Sequence, residues 1–305
     1  MDIERLLEPS FKPPTGTMEG LHLDCEVTTI PRPSQVDLLR VASVFPPFSL
    51  LRVDRVHNLL FEPQKTNPHI TKLQVIRARK IDFLSIFRCF PNLENLYIRE
   101  AELEIVGQQS RYTCSSLKTL QFEQTYGASW ADHVQFPNLE FVNGLTEPND
   151  ELMDFISRHT NIRTLKWRGI VTQALAKAAP QLKELNMISR LRSLYHLDAE
   201  GRSEPRFPLL KSVIVCHRAH RITIEQFDEF VRARCLPLQH EESLAKSPSH
   251  VLSSIMFRRR KTSPRPMWYE SELYRDCGKR VADVTCDPSF EEVYLTWSNG
   301  DCRSY

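Results

Sequence analysis

One pattern recurs along most of the chain and limits what it can fold into. An apolar residue is followed by two others, an apolar residue, one other, and a third apolar residue. It runs through Met18/Leu21/Leu23, Phe48/Leu51/Val53, Ile70/Leu73/Val75, Leu93/Leu96/Ile98 and Leu117/Leu120/Phe122. It continues through Leu139/Val142/Gly144, Ile162/Leu165/Trp167, Leu182/Leu185/Met187 and Leu210/Val213/Val215. The nine starts from Met18 to Leu210 lie 24 residues apart on average. Apolar-x-apolar is the period of a strand with one buried face, because side chains alternate across a strand. A unit this small cannot bury its face alone, but stacked copies can. The sequence therefore predicts a row of short parallel strands.

Between the strands, helical spacing returns. Ile81, Leu84 and Phe87 recur at steps of three within 81–90, and Leu152, Phe155 and Ile156 mark 150–159. Residues 171–179 are rich in helix formers and Pro180 follows as a stop. Phe227, Phe230 and Val231 share one face of 225–235. The pattern predicts a helical stretch closing each turn. Three repeats also share a lead-in: Phe90-Pro91-Asn92-Leu93, Phe136-Pro137-Asn138-Leu139 and Phe207-Pro208-Leu209-Leu210. Proline there ends the helix and returns the chain to a strand.

On these residues, 18–215 resemble a leucine-rich-repeat solenoid. The lead-ins at 90–94 and 136–140, with their irregular spacing, look like the repeats of fungal F-box proteins. Residues 227–237, ending ARCLP, are similar to the last helix of such proteins. The resemblance implies an α/β solenoid: a curved parallel sheet with helices on its convex side. It implies a non-catalytic adaptor that holds a protein on the concave face for a Skp–cullin ubiquitin ligase. The regular asparagine ladder of such repeats is absent; Ala78, Ala101 and Thr125 stand at its positions. An F-box needs three helices before the repeats, and 9–17, with three prolines, cannot supply them. A second reading keeps the scaffold but makes it regulatory, for example a small-GTPase activator.

The predicted organisation is an N-terminal extension (1–17), the repeats (18–237), a basic Ser- and Pro-containing insertion (238–285), and a terminal strand with tail (286–305). Residues 246–280 carry nine basic and three acidic side chains, with Arg258, Arg259, Arg260 and Lys261 in one run. Such a run is expected to be a solvated, partly disordered loop, or else a basic motif for nuclear import or an acidic partner. Thr262 and Ser263 beside it are candidates for phosphorylation. Residues 267–280 are expected to hold a short helix around Leu273. Phe290/Val293/Leu295 repeat the pattern once more and fit either a tenth, capping strand or an unrelated strand of the tail.

Little of the sequence points to catalysis. There are only 9 glycines and no Gly-x-Gly pair, which excludes glycine-rich phosphate loops. Neither a Gly-x-Ser-x-Gly elbow nor a His-Glu-x-x-His helix occurs. The densest ligand-like cluster, Cys216-His217-x-x-His220, is half a zinc site. Neither metal nor cofactor is expected, and the chain is read as a non-enzyme. The 8 cysteines form no Cys-x-x-Cys pair, and MDIERLLEPS lacks an export signal, so reduced thiols in cytoplasm or nucleus are expected. A net charge of +2 gives no bulk attraction for nucleic acid, and no apolar run is long enough for a membrane helix.

The remaining candidate is the face between the buried positions. It carries His22, Asp24, Arg52, Asp54, Lys72, Gln74, Tyr97, Arg99, Gln121, Glu123, Phe141, Asn143, Lys166, Arg168, Glu184, Asn186 and Ile214. Its charges are mixed, which argues against a polyanion. Tyr97, Arg99, Phe141, Lys166 and Arg168 are the predicted partner contacts, because Tyr and Arg are favoured anchors in protein interfaces.

Overall fold

A computed structural model describes residues 16, 18–24, 35–37, 43–55, 58–60, 65–107, 111–127, 130–145, 150–167, 170–187, 191–197, 203–216, 222–235, 252–263, 266–283 and 289–296. The protein is α/β, dominated by parallel strands with few helices. It divides into two compact units, 1–144 and 145–305. The predicted repeat array, 18–237, runs through that division.

In the first unit, β1 (Gly20–Asp24), β2 (Leu50–Asp54), β3 (Lys72–Ile76), β4 (Asn95–Arg99), β5 (Thr119–Glu123) and β6 (Phe141–Leu145) pair in sequence order, all parallel. The repeat sets the register. Leu21, Leu51, Leu73, Leu96, Leu120 and Val142 lie side by side, as do Leu23, Val53, Val75, Ile98 and Phe122. All of these side chains are buried. Gly144 has no side chain to add to the second row, and its φ is +89°.

Behind the strands, α1 (Phe83–Cys89) packs Phe83 and Phe87 into an aromatic core. Its rings reach Phe122, Trp130 and Phe136 at centroid distances of 6.0, 5.3 and 5.0 Å. Asp82 caps this helix by accepting the Leu84 N–H. The following two turns differ from the predicted plan. They are closed by short parallel strands, Ile81–Asp82 with Glu102–Glu104 with Tyr126–Gly127, and Tyr112–Thr113 with Val134–Gln135. Ala101 and Leu103 are buried two residues apart, which is strand spacing and leaves no helical face.

The second unit has β7 (Thr164–Trp167), β8 (Glu184–Met187), β9 (Ser212–Cys216), β10 (Ser254–Arg260), β11 (Gly278–Asp283) and β12 (Phe290–Thr296). Their order is β7-β8-β9-β10-β12-β11. Pairing is parallel as far as β10; β12 lies antiparallel to both β10 and β11. Helices α2 (Asp150–Arg158), α3 (Gln173–Ala178) and α4 (Ile224–Arg234) fall where the spacing predicts them. Thr223 and Gln226 form a capping box at the start of α4. A short helix, α5 (Glu272–Asp276), spans Leu273.

The basic stretch requires a correction. Arg258, Arg259 and Arg260 were expected in a solvated loop, and they end β10 instead. The tenth strand is thus Ser254–Arg260, and Phe290–Thr296 pairs beyond it in the opposite direction. Leu252, Ile255 and Phe257 are buried, so β10 itself carries the repeat pattern. Arg258 is neutralised by Glu292 across the pair, through Nε at 3.0 Å and Nη2 at 2.5 Å. Phe257 also stacks into a cluster with Phe227 of α4 and Trp268, at 6.3 and 4.5 Å.

Candidate functional site

The face opposite the core of the first unit is built by alternation. With Leu21 and Leu23 turned inward, His22 turns outward, and the parallel register repeats this in every strand. One outward row is His22, Arg52, Gln74, Tyr97, Gln121 and Asn143. The next, towards the strand ends, is Asp24, Asp54, Ile76, Arg99 and Glu123. On the other side lie Leu50, Lys72, Asn95, Thr119 and Phe141.

The residue after each strand completes this face. Arg55, Arg77, Glu100 and Gln124 all have φ between 50 and 60°. The first three donate their N–H to the last carbonyl of the following strand: Ile76, Arg99 and Glu123, at 2.8–2.9 Å. This left-handed step turns the side chain back over the preceding repeats. Arg55 grips Asp24 through Nε–Oδ1 at 2.9 Å and Nη2–Oδ2 at 2.6 Å. Arg77 holds Asp54 in the same way, at 2.8 and 2.6 Å. Asp54 is buried beneath it, with 4% of its surface exposed. The hydrogen bond from Arg55 holds the Asp24 carboxyl below its ordinary range. The hydrogen bond to Asp54 pushes the Arg77 guanidinium above its own.

Further along, Tyr97 is half-buried and its hydroxyl donates to Glu123 Oε2 at 3.0 Å. Burial, then Glu123, raises the phenol above its ordinary value. Arg99 donates to Glu100 at 2.9 Å and stands 3.9 Å from Glu123. Asn143, buried on this face, donates to Gln121 at 3.5 Å. Arg52 differs from these. Its Nε is buried and has no hydrogen-bond partner. Lys72, in the adjacent row, is exposed.

Three of the five predicted contacts therefore share this face: Tyr97 and Arg99 on β4, and Phe141 on β6 one row away. Lys166 belongs to the second unit, on β7 opposite Asn186. Arg168 lies outside the described residues. Lys261, at the end of the basic run, is exposed, and its N–H donates to Ser289 O at 2.9 Å. His217 and His220 of the half zinc site lie outside the described residues; among those described, no group of three or more His, Cys, Asp or Glu could hold a metal. No described helix is long and apolar enough to cross a membrane. The arginines that organise the face, Arg55 and Arg77, were not predicted. Their signal is positional: both stand seven residues after a repeat start, as do Glu100 and Gln124.

The side chains on this face are varied in chemistry. They offer an aromatic hydroxyl, guanidinium edges and amides on a rigid strand platform. No protein-family model matches the chain, and no curated protein matches it.

Proposed function

We propose that the chain is a leucine-rich-repeat solenoid working as a non-catalytic protein-binding module, and that the outward face of β1–β6 is its binding surface. The observation that carries this reading is the register. Alternation alone places polar and aromatic side chains in continuous rows across six parallel strands. Tyr97 and Arg99 stand next to one another across a single buried Ile98. Protein interfaces concentrate their energy in such Tyr and Arg anchors.

The F-box resemblance extends the proposal to a substrate-recognition adaptor of a Skp–cullin ligase. Its support is the lead-in turns. Leu93 N–H donates to Phe90 O, and Leu139 N–H to Phe136 O, at 3.1 and 3.0 Å. Asn92 and Asn138 bond carbonyls of the preceding repeat, Pro68 and Ser115, at 3.0 and 2.8 Å.

Affinity purification of the tagged full chain from its own cells tests both levels. Proteins recovered with the wild type should be lost with the double variant Tyr97→Ala/Arg99→Glu, while its circular dichroism and melting temperature stay unchanged. Equal recovery by that variant would refute the face. Recovery of Skp and cullin with the wild type supports the adaptor role, and their absence from every recovered complex removes it.

A further inference from the structure

The residue that leads into each strand is placed by one recurring backbone bond. Its N–H donates to the carbonyl of the residue at the same place one repeat earlier. In the first unit this bond joins Glu94 to Thr71, Lys118 to Glu94 and Glu140 to Lys118, at 2.8–2.9 Å. In the second it joins Lys183 to Arg163, Lys211 to Lys183 and Ser253 to Lys211, again at 2.8–2.9 Å. Residues at this place therefore stand one strand spacing apart, about 4.8 Å.

The two units fill the place differently. In the first, the signs alternate, and Lys118 Nζ meets Glu94 Oε1 at 3.1 Å. Neighbouring side chains here thus reach a common point in solvent. In the second, Arg163, Lys183 and Lys211 are three cations in succession. Arg163 and Lys183 are exposed, and among the described residues neither side chain has an ion pair or a hydrogen bond. Glu184 does not serve them; it stands in the next row, between Thr164 and Ser212, and pairs with neither. The turns beside the row add no acid either, for their exposed residues Thr160, Asn161, Pro180, Gln181 and Pro208 are all neutral. Like charges side by side on neighbouring strands are destabilising. A carboxylate between them would supply what Glu94 supplies to Lys118.

We infer that Arg163 and Lys183, with Lys211 extending the row, form a second interaction surface, and that its partner is an acidic protein segment. Asp or Glu side chains of that segment take the place that Glu94 holds beside Lys118. The inference goes beyond the binding face of β1–β6 and does not depend on it. The row spans two strand spacings, about 10 Å, and an extended segment sets same-side carboxylates about 6.7 Å apart, so two of them fit along it. A nucleic-acid strand is the poorer match. It binds by stacking bases on aromatic rings as well as through its phosphates, and none of the exposed residues beside the row is aromatic.

The test uses the full chain and fluorescein-labelled peptides of alternating Glu and Ser, with alternating Gln and Ser as the neutral counterpart, followed by fluorescence anisotropy. At low salt the Glu peptide should bind and the Gln peptide should not, and the affinity should fall as salt is raised. Arg163→Gln/Lys183→Gln should weaken the Glu peptide about tenfold, which is about 1.4 kcal/mol shared between two exposed charge pairs. Its melting temperature should not fall, because both side chains are exposed. Lys183→Glu, which places a carboxylate within the row, should weaken binding at least as much. Arg192→Gln/Lys261→Gln removes the same charge from exposed residues past the far ends of β8 and β10, and should leave binding unchanged. Equal weakening by that control would overturn the surface in favour of bulk charge. Binding that survives Arg163→Gln/Lys183→Gln, or no binding of the Glu peptide by the wild type, would also overturn it. A labelled oligothymidine that bound more tightly than the Glu peptide, and was lost with Arg163→Gln/Lys183→Gln, would overturn the acidic segment in favour of nucleic acid.

Discussion

Arg55, Arg77, Glu100 and Gln124 sit in the left-handed region although none is glycine. An L-residue there costs about 1–2 kcal/mol. For Arg55 and Arg77 the conformation aims a guanidinium at a carboxylate, which offsets the strain. Gln124 is exposed and carries no charge with which to hold a carboxylate. Gln124→Gly should relieve the strain and lose up to about 1 kcal/mol through a looser unfolded chain. The net is a gain of about 0.5–1 kcal/mol, measured as a higher urea midpoint with an unchanged slope. Gly144 is the opposite case. A Cβ there would fall 1.5 Å from the Phe122 carbonyl oxygen, a backbone atom that cannot swing away, at a φ of +89°. Gly144→Ala should therefore destabilise the first unit by about 3 kcal/mol or more. At this scale the sequence was only half legible. It placed Gly144 correctly in the repeat, but as a core position. Nothing in a single residue's type announces positive φ when the residue is Arg, Glu or Gln. Only their common place, seven residues into each repeat, carries that information.

Elements were more legible, because their signals are repeated. Period-two alternation at fixed intervals located the buried rows of β1 through β9, three-residue spacing located α1, α2 and α4, and a run of helix formers before Pro180 located α3. Two failures have physical causes. Between β4 and β6 the connecting segments close as short strands, and residues 101–103 already showed strand spacing beneath their charges. β10 was hidden because three arginines ending a segment suggest solvent, whereas Arg258 is neutralised across the sheet by Glu292. The pattern Leu252/Ile255/Phe257 was present upstream of those arginines. The lead-in turn recurs more widely than its motif. The same i to i+3 bond closes Phe90–Leu93, Phe136–Leu139, His159–Ile162, Ala179–Leu182 and Phe207–Leu210. Proline in second place, where four of these five turns have it, presets the φ such a turn needs. Asparagine in third place adds a bond to the preceding repeat, replacing the missing ladder further along; there, backbone bonds from Glu102 to Ala78 and Tyr126 to Ala101 serve instead. Asn138→Ala should thus cost about 1 kcal/mol. Asn161→Ala, at the equivalent place of a turn without proline, gives the companion measurement by thermal denaturation.

Because pairing in the first unit runs in sequence order, each repeat leans chiefly on its two neighbours, and its stability depends on position along the row. Leu96 is fully buried, with Leu73 and Leu120 on either side of it in register. Leu21, in the first strand of the order, is 6% exposed and has Leu51 on one side. Truncating a leucine removes its transfer energy and leaves a cavity whose cost depends on how well the surroundings collapse. Leu96→Ala has no room to relax between two packed repeats and should cost about 3–5 kcal/mol. Leu21→Ala can relax at the end of the row and should cost about 2 kcal/mol or less. Hydrogen exchange separates the two more sharply than a melting curve. In Leu21→Ala, the amides of β1 should lose protection while those of β3, β4 and β5 keep theirs. In Leu96→Ala, protection should fall together from β2 through β5, because the central repeat connects both halves of the row. Uniform loss in both variants would mean that the first unit unfolds as one cooperative body rather than as a chain of nearest neighbours. That outcome would also bear on the proposed binding face. A face assembled from independently fraying repeats would bind most firmly at its centre, near Tyr97, and least firmly at β1.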